Sequence, residues 1–172
     1  MPMPAPEHVD VLVGHWRKVV ETMDVGFSMA VVADDRMAER DIWRIAYALG
    51  FQLGSTGLFE WRGGGSSSPL VTMSPLEMPQ FSLAQVEEAT THSGIGLGFN
   101  IPRNAAPMAS FEACMECAEF FARRMPCGLL DEDMNPLNVE VVRQQLNLAS
   151  ELLTNASVAP GSAEAFRLFG SA

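Results

Sequence analysis

The segment G-I-G-L-G-F-N-I-P, residues 94–102, restricts the fold of this chain more than any other stretch. Its apolar residues recur with period two, the spacing of a half-buried strand. Successive side chains of a strand point to opposite faces, so Ile95, Leu97, Phe99 and Ile101 share one face. Gly94, Gly96, Gly98 and Asn100 share the other. The first face is suited to pack against helices, and the second is nearly bare. Glycine weakens a strand interior and often marks a close approach to the backbone. A sheet covered on one side and open on the other follows.

The remaining pattern supplies elements for such a sheet. Apolar residues at helical spacing predict a helix over 8–23 that ends at Asp24 and Gly26, after a proline-rich linker over 1–7. Residues 26–33 read as a strand rich in apolar residues on both faces. Asp34, Asp35 and Arg36 turn the chain into a helix over 37–49, with Gly50 at its stop. Residues 51–61 predict a strand broken by Gly54 and Gly57. The run Gly63-Gly64-Gly65-Ser66-Ser67-Ser68 is a hairpin loop by composition, and residues 69–74 are its return strand. A short helix near 82–89 precedes the glycine strand. Ser110 is placed to cap a helix over 111–125, residues 129–131 form a short strand, and Asn138 caps a last long helix to Leu153. The order predicts an α+β fold, a sheet covered by helices on one face, with residues 8–172 forming one domain.

Composition narrows the function. The 172 residues are 48% hydrophobic and 19% charged, within the globular range. A net charge of −10 disfavours partners with phosphate backbones or anionic lipid surfaces. No apolar run approaches the roughly 20 residues of a membrane-spanning helix, and no signal peptide is visible, so an intracellular chain is expected. Three cysteines agree with a reducing compartment.

Several constellations resemble chemical sites and fail on their details. Cys114 and Cys117 form C-x-x-C with Cys127 and His92 as the nearest further ligands, but the pair falls within an apolar helix, where cysteine fills core space. Asp131-Glu132-Asp133-Met134-Asn135 begins like a calcium loop, yet Pro136 holds the position that requires glycine. The glycine strand lacks the third glycine and following helix of a dinucleotide fingerprint. His92 and Ser93 are adjacent, but no carboxylate is placed to orient the histidine, which reads as a surface or loop residue. No catalytic residue, metal or cofactor is expected, and a binding protein is the better class.

The order and spacing of several motifs resemble the C-terminal, FtsZ-binding domain family of the bacterial division protein ZipA. The similar residues are G-F-N-I-P (98–102), F-E-A-C-M-E-C-A-E-F-F-A-R-R-M (111–125) and C-G-L-L-D-E-D-M-N-P-L-N (127–138). I-A-Y-A-L-G-F (45–51) and P-L-V-T-M-S (69–74) lie upstream at matching positions, and P-G-S-A-E-A-F-R-L-F (160–169) resembles endings in one branch of the family. The resemblance implies a split β-α-β, mainly antiparallel sheet backed by helices, with a shallow apolar channel on the open face. It implies that a monomer binds the C-terminal peptide of FtsZ in that channel, on the cytoplasmic side of the inner membrane. Full family members carry an N-terminal anchor and a long linker, so the chain is expected to be an excised domain or a member lacking its anchor. Carried over position by position, the channel would include Phe27 and Met29 on the first strand and Thr56 and Leu58 on the second. Leu70, Thr72 and Leu76 would lie on or after the third, and Gly96 and Gly98 on the fourth. Gly98 and Thr56 replace a bulky aromatic and a methionine, which predicts a shallower, less apolar channel. The tail 163–169 is expected to pack across the domain edge, the sharper alternative being that it occupies the channel. The competing functional class is a small acidic chaperone for a secreted protein, for which size and charge are also suited.

Overall fold

A computed structural model describes residues 14, 17–18, 20–63 and 68–170. Its centre is the glycine strand, here β5 (Thr91–Asn100), with β1 (Gly26–Ala38) antiparallel on one side and β4 (Val71–Pro75) antiparallel on the other. With β2 (Gln52–Leu53), β3 (Phe59–Trp61) and β6 (Cys127–Leu130), these form a six-stranded sheet of order β2-β3-β4-β5-β1-β6. Every pairing is antiparallel. The fold is therefore α+β.

One face of this sheet carries the core. Ile95, Leu97, Phe99 and Ile101 are all buried. Residues directly opposite in an antiparallel pair share a face, so the phase of β1 is dictated by β5. Phe27 stands opposite Phe99, Met29 opposite Leu97, and Val31 opposite Ile95. Phe59, Val71 and Met73 extend the same face across β3 and β4. Helices α1 (Glu39–Ala48), α3 (Pro107–Ala122) and α4 (Val139–Asn155) cover it with Ile42, Ile45, Phe111, Phe121, Leu146 and Leu153. Each such side chain contributes about 1.5–3 kcal/mol on burial. The short α2 (Leu83–Glu87) is capped by Ser82, whose hydroxyl accepts from the Gln85 N–H at 3.3 Å.

Several boundaries differ from the sequence reading. β1 continues through Asp34-Asp35-Arg36, expected as a turn, by means of an irregularity in register between Val32 and Met37. The broken strand over 51–61 is instead the hairpin of β2 and β3. Gly54 and Gly57 lie in its turn, where the Gly54 N–H donates to the Leu58 carbonyl. The helix over 111–125 begins earlier, with Pro107 in its first turn. Pro at that position loses no helical hydrogen bond. Ser110 is consequently inside the helix and buried, its hydroxyl donating to Asn104 Oδ1 at 3.1 Å rather than capping. Asn138 does cap α4, accepting from the Val141 N–H at 3.2 Å. The expected helix over 8–23 falls largely outside the described residues; those at 20–23 are helical.

The chain ends in α5 (Ala163–Phe169), capped by the Ser162 hydroxyl. The approach to it is pinned at Gly161, whose N–H donates to the Pro102 carbonyl at 2.8 Å. Gly161 has φ +72°, and a Cβ there would lie 2.6 Å from the Ala105 backbone nitrogen. Only glycine suits both demands. Ala165 and Phe169 then join the core.

Candidate functional site

The face of the sheet opposite the core helices holds, among the described residues, a groove of about 610 Å³. Its floor follows from the glycine alternation. Gly96 and Gly98 of β5 lie between Ser28 of β1 and Thr72 and Ser74 of β4. The bareness has a structural cause as well. A Cβ at Gly98 would come 2.7 Å from the Phe27 carbonyl oxygen, and one at Gly96 would come 2.9 Å from Ser74 Oγ. Neighbouring strands thus occupy the space that side chains would claim, and the floor is backbone edged with small hydroxyls. Thr72 Oγ1 lies 3.2 Å from the Gly98 carbonyl oxygen and donates to it, so this hydroxyl is already engaged.

Leu70 forms one wall, and its position is fixed from beneath. The buried Asn104 amide donates to the Leu70 carbonyl at 2.7 Å while its Oδ1 accepts from the Ala106 N–H and the Ser110 hydroxyl. One satisfied polar side chain therefore ties the groove wall to the start of α3. At one end of the groove stand Asn100, Arg103 and Phe166, the last delivered by α5. Beyond the other end, Leu76 lies over the glycines, 2.8 Å from where a Gly94 Cβ would sit and 3.7 Å from a Gly96 Cβ. The next residue, Glu77, is clamped by Arg36 in a two-pronged pair at 2.7 and 3.1 Å. Arg36 also reaches the hydroxyl and carbonyl of Thr91. Hydrogen bonding from Arg36 holds the Glu77 carboxyl well below the usual range, at about 2.

The residues expected to form a channel divide into three groups. Leu70, Thr72, Gly96 and Gly98 line the groove, and Leu76 covers the glycines next to it. Thr56 is exposed in the β2–β3 turn and Leu58 is half-buried before β3; neither lines the groove. Phe27 and Met29 are corrected. Both stand on the covered face, where the Phe27 ring meets Phe111 edge-on at 5.2 Å and Met29 is 2% exposed. Because β1 is apolar on both faces, its own sequence does not set its phase; the register with β5 does. Ser28, Ser74 and Arg103 were not foreseen; Asn100 was expected on the open face but not in the channel, and Phe166 only through the alternative that placed the tail there. Ser74 and Asn100 follow from Thr72 and Gly98 by the two-residue period, whereas Arg103 and Phe166 come from a loop and a tail that no periodicity connects to the sheet.

The histidine reading is also corrected. His92 is buried, and its Nε2 lies 3.0 Å from a carboxylate oxygen of the equally buried Glu39. The other Glu39 oxygen accepts from the Trp43 indole N–H and the Ser82 backbone N–H. This network joins α1, β5 and the entry to α2, and lies on the covered side of the sheet. Cys114 and Cys117 are buried in α3, where desolvation raises both thiols, Cys117 to about 12. Among the described residues no cluster of three His, Cys, Asp or Glu side chains is arranged to hold a metal. The Asp131 carboxylate accepts from the N–H groups of Asp133 and Asn135, closing an acidic turn. Among the described residues no helix is long and apolar enough to cross a membrane.

Comparison with known families is consistent with this geometry. Residues 25–147 match the family described as ZipA, C-terminal FtsZ-binding domain. The matched span runs from the start of β1 into α4 and leaves α5 outside it. No curated protein matches the chain.

Proposed function

Starting from a chain that belongs to the ZipA C-terminal FtsZ-binding domain family, we propose that it is a non-enzymatic adaptor of bacterial cell division that holds the C-terminal tail of FtsZ in the open-face groove. The observation that carries this reading is the groove itself, a glycine floor with an apolar wall on the face of the sheet that the described core helices leave open. Its volume lies in the range of small-ligand and peptide sites, roughly 300–1,000 Å³. An extended peptide advances about 3.3 Å per residue and presents alternate side chains to such a floor. The adaptor acts as a monomer on the cytoplasmic side of the membrane, and its partner is protein rather than nucleic acid or lipid. The acidic-chaperone alternative has no comparable observation in its favour.

The test is a titration of a fluorescently labelled FtsZ C-terminal peptide with the chain, beside the variant Ser28→Glu. Ser28 is exposed on the floor, so the substitution places a charge in the groove without entering the core. Saturable one-to-one binding that Ser28→Glu removes, at unchanged melting temperature, supports the reading. Equal binding by both proteins places the peptide elsewhere.

A further inference from the structure

We infer that Arg103 and Phe166 form a subsite at one end of the groove that takes a carboxylate of the bound peptide together with the apolar side chain next to it. This rests on the groove being the peptide site. Arg103 is the one charged side chain among the described groove-lining residues. Its guanidinium has no hydrogen-bond or ion-pair partner among the described residues; only its backbone N–H is engaged, by Asn100 Oδ1 at 3.0 Å. In a chain of net charge −10, Arg103 is set apart by its place: of the described arginines without a carboxylate partner, it is the one that lines the groove. Its Nε is sealed from solvent without an acceptor, so the side chain is held against the groove wall. A guanidinium presents a planar fork of donors that matches a carboxylate.

Phe166 supplies the apolar half. Three residues of α5 show how it is held: Ala165 and Phe169 are buried at 0% and 5%, whereas Phe166 between them is 39% exposed and faces the groove. The Gly161–Pro102 hydrogen bond sets the tail against the loop that carries Arg103. A helix anchored on both sides of one exposed aromatic presents that ring in a fixed place, as binding anchors require. Phe166 lies outside the family-matched residues, whereas Arg103 lies within them.

The experiment is a double-mutant cycle between protein and peptide. The full chain and its Arg103→Gln, Arg103→Lys and Phe166→Ala variants are titrated with the FtsZ C-terminal peptide in three forms: unmodified, amidated at its C-terminus, or with its acidic side chains replaced by amides. One of the two neutralised peptides is expected to bind the unchanged chain about tenfold more weakly, the size of one charge-assisted contact. Which form loses affinity identifies the carboxylate as terminal or side-chain. Arg103→Gln should lose a similar factor with the unmodified peptide and nothing further with that neutralised form. Arg103→Lys, a point charge without the fork, should fall between. Phe166→Ala should weaken all three peptides about equally. If the unchanged chain binds the three peptides alike, the carboxylate assignment is overturned, whatever the variants do to folding. If Ser28→Glu abolishes binding while Arg103→Gln and Phe166→Ala bind normally, the groove reading stands and the subsite is wrong. If Ser28→Glu binds normally, the groove reading fails first and the subsite with it.

Discussion

Leu97 of β5 and Leu70, just before β4, illustrate how two leucines close in the sheet acquire opposite roles. Leu97 is 1% exposed among the helices, and Leu97→Asp would bury a charge with no partner. A cost of about 3–5 kcal/mol is expected, a large share of the roughly 5–15 kcal/mol of a typical domain, so the melting temperature should fall steeply. Leu70 is half-buried at the groove wall, so Leu70→Asp should fold and lose peptide affinity, while Leu58→Asp, outside the groove, should retain it. Circular-dichroism melts and peptide titration distinguish the three. The Glu39 carboxylate makes three hydrogen bonds inside the protein. Glu39→Ala leaves the His92, Trp43 and Ser82 donors without their acceptor, and a loss of about 3–5 kcal/mol in urea unfolding is expected. That the histidine has a carboxylate partner 53 positions away in sequence is invisible until α1 folds back over β5.

Among the elements, β1 and the segment after β4 decide the shape of the groove. The register irregularity in β1 lets the strand carry on through three charged residues, and it brings Arg36 across to Glu77. The clamp fixes the residue that follows Leu76, and so the side chain lying over Gly94 and Gly96. Its pH dependence has a defined sign. Arg36 lowers the folded Glu77 carboxyl from 4.5 to about 2. A depressed folded value means the contribution is complete above the unfolded value and is lost as pH falls through the folded one. The clamp should therefore weaken between about pH 4.5 and pH 2. Carboxyl NMR titration should place the Glu77 midpoint near 2, and Arg36→Ala should return it toward the ordinary range. A midpoint unchanged by Arg36→Ala would show that the clamp does not form in solution.

At the scale of the whole molecule, the tail and the affinity are linked. Deleting residues from Gly161 onward removes the buried Ala165 and Phe169 from the core. Burial of a phenylalanine is worth about 1.5–3 kcal/mol, so the truncated chain should melt at lower temperature. It should also bind the peptide more weakly, because Phe166 goes with it. Stronger binding after truncation would instead mark the tail as a competitor for the groove. A peptide that buries two or three apolar anchors would gain about 1.5–3 kcal/mol from each, against association costs of at least about 4 kcal/mol. A dissociation constant in the micromolar range or weaker is expected by isothermal titration calorimetry. Under the proposed function, recruitment to a filament would then depend on many tails acting together. A nanomolar one-to-one complex would contradict the account.

The sequence alone determined the two faces of β5, the α+β class, the cap of α4, and the open side of the sheet. Each rests on neighbours within a few positions, where the two-residue period or a capping side chain acts directly. It also identified the family through the order of its motifs. What it left undecided was the face of Phe27 and Met29, because β1 is apolar on both sides and only pairing with β5 selects one. It left undecided the placing of Thr56 and Leu58, because two glycines fold that stretch into a hairpin turn. Arg103 and Phe166 meet at the groove for a reason further removed still. Residues 63 positions apart come together only when Gly161 passes close to the Ala105 backbone and the tail packs into the core. Local chemistry fixes which way a side chain points along its own strand or helix; which surface that direction belongs to is decided by tertiary contacts alone.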